Sequence, residues 1–164
     1  MDARTRYVTM IAVFAVVLFL ALTIAASGII SLYLDRDVLT ERDAGPLIAP
    51  IMFATATAAL YTLLVTFGRR RGSIVVGALV TAVITYFFFL ISGSTLYSLG
   101  KGRPLLSLLF FGSNAVGPFA IAVGMTAFVV ALSFLLLISY RDGGGASQTP
   151  RWWWENRDDR DRRE

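Results

Sequence analysis

The chain has 164 residues, 56% of them apolar, 13% aromatic and 16% charged, with a formal net charge of +4 and a mean hydropathy of +0.68. That composition excludes a soluble enzyme, a disordered chain and a secreted disulfide scaffold, and leaves a polytopic helical membrane protein. Cysteine and histidine are both absent, which removes disulfides, thiolate nucleophiles, imidazole proton relays and Cys or His sites for a metal or haem.

Charged residues divide the chain into four uncharged runs, 7–34, 44–68, 73–100 and 104–140. A helix rises about 1.5 Å per residue, so about 20 apolar residues cross a hydrocarbon core of about 30 Å. Each run is long enough to cross once. The first follows Arg4 and Arg6. It far exceeds the roughly 7 to 15 apolar residues of a secretory signal core and is predicted as a helix over 8–33. The second opens with Pro46 and Pro50, which suit a loop or a first helical turn, and stops where Gly68 meets Arg69, Arg70 and Arg71; its span is 47–67. The third spans 73–96 and gives way to small polar residues around Ser92, Gly93 and Ser94.

As one straight helix the fourth run would be about 55 Å long, nearly twice the core thickness, so it must break. Gly112, Ser113, Asn114, Gly117 and Pro118 cluster at one place. Residues 104–111 therefore read as a short apolar segment lying at the membrane surface or dipping into it, followed by a span over 115–139. The alternative is a continuous tilted helix kinked at Pro118. The fold class is all-α, with a four-helix transmembrane domain over 1–140 and a tail over 141–164.

Lys and Arg set the orientation. Eleven arginines flank one side of the spans, in the amino-terminal segment, the Arg69–Arg70–Arg71 loop and the tail, against Arg36, Arg42, Lys101 and Arg103 on the other. The positive-inside rule places both termini in the cytoplasm. The triple arginine is also suited to anionic lipid headgroups. These cations flank apolar spans instead of forming a stripe with interleaved aromatics, so nucleic acid is not an expected partner. The outer loop over 35–43 carries Asp35, Asp37, Glu41 and Asp43, but its spacing is not that of an EF-hand and it reads as a solvated loop. No metal site is expected.

Within the four spans there is no Asp, Glu, Lys, Arg or His. An ionisable side chain at mid-span costs about 2.5 to 3.5 kcal/mol on insertion scales, a cost accepted where protons, ions or charged substrates pass. Proton-coupled transport, voltage sensing and catalysis all lose their usual machinery. Thr55, Thr57, Thr62, Thr66, Thr81 and Thr85, with Tyr61, Tyr86 and Asn114, remain inside. They read as interhelical glue, or as a polar lining for a small neutral ligand. Small residues four apart, Ala54 with Ala58, Gly77 with Thr81, Ala120 with Gly124 and Ala127 with Ala131, put helix-packing positions on one face. Phe87, Phe88 and Phe89 wrap the third helix at one depth, and at least one of them should meet lipid or another protein.

The tail joins a glycine-rich linker to Arg151, Trp152, Trp153 and Trp154 and a mixed charged stretch. Three indoles suit either an interfacial anchor or a partner's cytoplasmic face. The layout of four spans, a triple-arginine loop, an Arg- and Asp-rich tail and a single lysine is similar to that of the small, mostly uncharacterised four-helix membrane proteins of high-G+C bacteria. That resemblance implies an inner (cell) membrane setting and, for some such proteins, a place as accessory subunit of a larger assembly such as a respiratory complex. The expected function is a non-catalytic membrane subunit with no cofactor, whose partners are the lipid bilayer and a larger membrane protein. The alternative is a binding or transport protein for a small neutral solute or lipid.

Overall fold

The computed structural model describes residues 3–34, 47–69, 73–101 and 105–142. They form five helices: α1 (Ala3–Leu34), α2 (Ile48–Arg69), α3 (Ile74–Lys101), α4 (Leu105–Ala115) and α5 (Pro118–Asp142). All but α4 are long and apolar enough to cross a membrane. Local chemistry fixes several helix ends. The Ser73 carbonyl accepts the Gly77 amide at 2.9 Å, so Ser73 starts α3. The Gly117 carbonyl accepts Ile121 N–H at 3.1 Å, and Pro118 at the first position of α5 loses nothing, because that amide has no helical acceptor.

The four long helices form a ring in the order α1, α2, α3, α5, with α2 also reaching α5 across the middle, while α4 sits against α3 and touches α5. Contacts at one end put the start of α1, the end of α2, the start of α3 and the end of α5 together. There the Arg141 guanidinium lies 3.6 Å from the centre of the Tyr7 ring, tying the last helix to the first. Between membrane helices there is no water to expel, so association rests on close van der Waals packing and interhelical hydrogen bonds. The core answers both needs. Large side chains such as Phe19, Met52, Leu60, Leu64, Leu90 and Phe134 are fully or almost fully buried, interleaved with Ala12, Ala56, Ala78, Ala127 and Ala131.

Helix α3 runs on to Lys101, past the predicted end at 96. The serines that suggested its end fold their hydroxyls back onto the helix, Ser92 donating to Phe89 O and Ser94 to Leu90 O, and Thr95 likewise donates to Ile91 O, each within 3.0 Å. The same device carries α4 to Ala115, since the Asn114 side-chain amide donates to Phe110 O at 3.0 Å. The break therefore falls at Val116 and Gly117, and α5 begins at Pro118 where the sequence suggested a span from 115.

Helix α4 returns alongside the C-terminal half of α3. Phe110 stacks on Tyr97 with ring centres 5.0 Å apart, Phe111 stacks on Phe87 at 6.4 Å, and the Ala115 carbonyl accepts the Tyr86 hydroxyl. From Tyr97 to Tyr86 is about 16 Å of α3, so α4 descends from the far end of the bundle to the middle of α3 and stops there.

Candidate functional site

Two features set this bundle apart from a plain anchor: the broken helix at mid-depth and the outward face of α2. At the break, a helix end lies where a bilayer supplies no water, and each unpaired backbone group there costs several kcal/mol. The chain meets that cost from its own side chains and turn. Gly117 N–H bonds to Asn114 O at 3.0 Å, the buried Asn114 side chain takes Phe110 O, and the Tyr86 hydroxyl takes Ala115 O from the neighbouring helix. Tyr86 lies over Gly124 of α5, where an added Cβ would meet its ring at 3.4 Å. One tyrosine thus joins α3, α4 and α5.

Interior hydroxyls act mostly as local or interhelical links. Thr55 and Ser92 join α2 to α3 at 2.8 Å, and Thr23 and Thr126 join α1 to α5 at 3.2 Å. Thr81 donates to Gly77 O at 2.8 Å. Ser27 and Thr85 are buried without a hydrogen-bond partner among the described residues. Within the chain, Thr81 and Thr85 are buried, Thr55 is half-buried, and Thr62 faces outward. Among the described residues there is also no group of three acidic, His or Cys side chains that could hold a metal ion.

The predicted packing residues divide. Gly77 and Thr81 are buried on α3, and a Cβ at Gly77 would lie 3.1 Å from Leu135 of α5. Ala120 is buried, and Gly124 is half-buried beneath Tyr86. Ala54 and Ala58 do not pack within the chain; both are exposed. The buried line of α2 is Met52, Ala56, Leu60, Leu64 and Gly68, because long side chains at four-residue spacing fill the ring's centre while alanines at 54 and 58 cannot. Gly68 is a close junction of three helices that the four-residue pairs missed. A Cβ there would meet Val8 of α1 at 2.9 Å and Phe134 and Ile138 of α5 at 3.0 and 3.1 Å. Its only sequence signal is a glycine beside the arginines.

The exposed residues of α2 after Ile51 are Ala54, Ala58, Thr62, Thr66 and Arg69, a single line with steps of three or four. No large apolar side chain is exposed along it. Thr62 and Thr66 donate to Ala58 O and Thr62 O, each at 2.7 Å, so their hydroxyls are turned into the helix. The outward faces of the other spans carry large groups instead: Phe14, Val17 and Ile24 on α1, Leu79, Phe87 and Phe88 on α3, and Met125, Val129 and Leu136 on α5. Phe89, by contrast, is buried against Phe53, with ring centres 5.3 Å apart.

Arg69 is exposed at the end of α2. Arg70, Arg71, Arg151 and Trp152 to Trp154 lie outside the described residues, as do the carboxylates of the 35–43 loop.

The chain belongs to a family of unknown function (DUF6121), whose model matches residues 1–162. No curated protein matches it, and no solved structure does.

Proposed function

We propose that this protein is a non-catalytic subunit of the bacterial inner membrane that packs beside a larger membrane protein, such as a component of a respiratory assembly, through the outward face of α2. One observation carries the reading: after Ile51, α2 turns only Ala54, Ala58, Thr62, Thr66 and Arg69 outward, whereas α1, though it also exposes Ala21, Ala25 and Gly28, joins α3 and α5 in turning large aliphatic or aromatic side chains outward along its length. Small residues at four-residue spacing let two helix backbones approach closely and gain the contact on which association in lipid depends. Lipid chains need no such ledge. The absence of ionisable groups from the spans supports a role in association over one in ion movement or chemistry.

In this reading the arginine-rich end of the bundle faces the cytoplasm. Arg69, Arg70 and Arg71 meet anionic headgroups there, and Arg151 with Trp152, Trp153 and Trp154 adds a second contact on the partner's cytoplasmic face. The test is purification of the tagged full chain in mild detergent with quantitative mass spectrometry of what accompanies it. Ala54→Leu with Ala58→Leu should release the partner that the native chain retains, and Val17→Leu on the outward face of α1 should not. Replacing all three tryptophans with Ala should weaken retention further. An undiminished partner in the α2 double variant removes α2 from the interface and the proposal with it.

A further inference from the structure

The close approach at Gly68, where a Cβ would lie within 3.1 Å of Val8 of α1 and of Phe134 and Ile138 of α5, gathers the residues that follow toward that end of the bundle: Tyr7 from α1, Arg69 from α2 and Arg141 from α5. The Arg141 guanidinium lies over the Tyr7 ring, 3.6 Å from its centre. Stacking uses one flat face of the guanidinium and holds the side chain in place, while the N–H groups in its plane stay available to an acceptor. Apart from that stacking, no hydrogen bond or ion pair engages Arg69 or Arg141 among the described residues. Neither turns back on the carbonyls of its own helix end, as an arginine in a last turn commonly does.

Both arginines end segments long and apolar enough to cross a membrane, Ile48–Arg69 and Pro118–Arg141. Their charges therefore stand where a span leaves the hydrocarbon, at the depth of lipid phosphates. At this end the described helices carry Arg4, Arg6, Arg69 and Arg141 against one carboxylate, that of Asp142. A phosphodiester matches the planar fork of a guanidinium, and such charge-assisted bonds are about twice as strong as neutral ones.

We infer that Arg69 and the Tyr7-stacked Arg141 form a binding site for the phosphate of one anionic phospholipid, which joins α1, α2 and α5 at the arginine-rich end of the bundle. This rests on the reading that this end meets anionic headgroups, and narrows a diffuse attraction to two guanidinium groups. Arg6 supplies the contrast. It is exposed at the same end, with no ion pair among the described residues, but it stands two positions before the buried Val8, about 200° round α1, and so faces away from the junction.

The test measures the dissociation constant of dioleoyl phosphatidylglycerol from the full chain in mild detergent by native mass spectrometry. Dioleoyl phosphatidylcholine, with the same acyl chains and no net charge, is the reference and should bind about tenfold more weakly. Arg141→Gln and Arg69→Gln should each weaken phosphatidylglycerol binding about tenfold, and Arg6→Gln, screened from the site at physiological ionic strength, less than about twofold. Arg69→Gln leaves the Arg141–Tyr7 contact in place, so it reads the site without disturbing the α1–α5 junction. Tyr7→Leu should bind as weakly as Arg141→Gln, and Tyr7→Phe, which keeps the ring, as tightly as the native chain. An unchanged constant in Arg69→Gln, or an equal loss in Arg6→Gln, overturns the site and leaves the headgroup reading standing; equal binding of the two lipids removes both. Inorganic phosphate at matched ionic strength should not displace the lipid, and displacement would make a soluble phosphate the ligand and overturn the lipid assignment. Ala54→Leu with Ala58→Leu should leave the constant unchanged, so the lipid site and the partner interface can fail separately.

Discussion

Replacing Tyr86 with Phe removes one oxygen and keeps the ring over Gly124, so its effect isolates the bond to Ala115. The Ala115 carbonyl ends α4, and the Gly117 amide beyond it is already given to Asn114. Leaving a buried acceptor unpaired costs about 1 to 3 kcal/mol, and the upper part of that range applies where no water can take the donor's place. At 1.4 kcal/mol per factor of ten, a loss of about 2 to 3 kcal/mol should shift the equilibrium for detaching α4 from α3 roughly 30- to 150-fold. Hydrogen exchange read by mass spectrometry on peptides from 105–121 should show protection reduced by that factor, with a lower thermal midpoint in detergent. Thr62→Val, whose hydroxyl is bonded within its own outward-facing turn, should leave these peptides unchanged. Native exchange in Tyr86→Phe would falsify the account of the break as a helix end held by a neighbouring side chain.

Gly68→Leu should be severe, losing about 1 to 3 kcal/mol or more through overpacking, because Val8, Phe134 and Ile138 already crowd the position and Val8 is stiff at its branched carbon. Gly28 has open space around it, so Gly28→Leu should purify as a single species with an unchanged midpoint; if the two variants behave alike, the three-helix junction has been misplaced. A double-mutant cycle on Thr55→Val and Ser92→Ala should return a coupling of about 0.6 kcal/mol, the usual size for a hydroxyl link between membrane helices. Zero coupling would mean that the two hydroxyls serve only their own helices.

The spans were legible because uncharged runs of such length have one stable setting in a bilayer, and the break was legible because residues 104–140 are too many for one crossing and Gly112, Ser113, Asn114, Gly117 and Pro118 cluster within them. The rotation of α2 was not. Alanines occupy 54, 56, 58 and 59, so small residues lie on more than one face of α2. The choice is made by Met52, Leu60 and Leu64, whose length matches the gap at the ring's centre. In lipid, inside and outside are both apolar, so hydrophobic periodicity carries little information about which face turns inward. Tyr86 was read as one hydroxyl among many, since nothing local announces a bond to a carbonyl 29 residues away. Ser92, Ser94 and Asn114 misled the helix ends for a related reason: a short polar side chain signals a terminus in water, but in a membrane it satisfies itself on the preceding turn and the helix continues.

Because α1 packs on α5 as well as on α2, α1 finds its second neighbour only when α5 emerges. At about 5 to 20 residues per second, the stretch from Leu34 to Asp142 takes several seconds or more to synthesise. Through that interval the α1 surface destined for α5, including Thr23 opposite Thr126, faces lipid or whatever protein stands nearby. Truncation before α5 thus leaves an unclosed row of helices, and Arg141, which meets Tyr7, acts as a clasp that can fasten only once α5 is made.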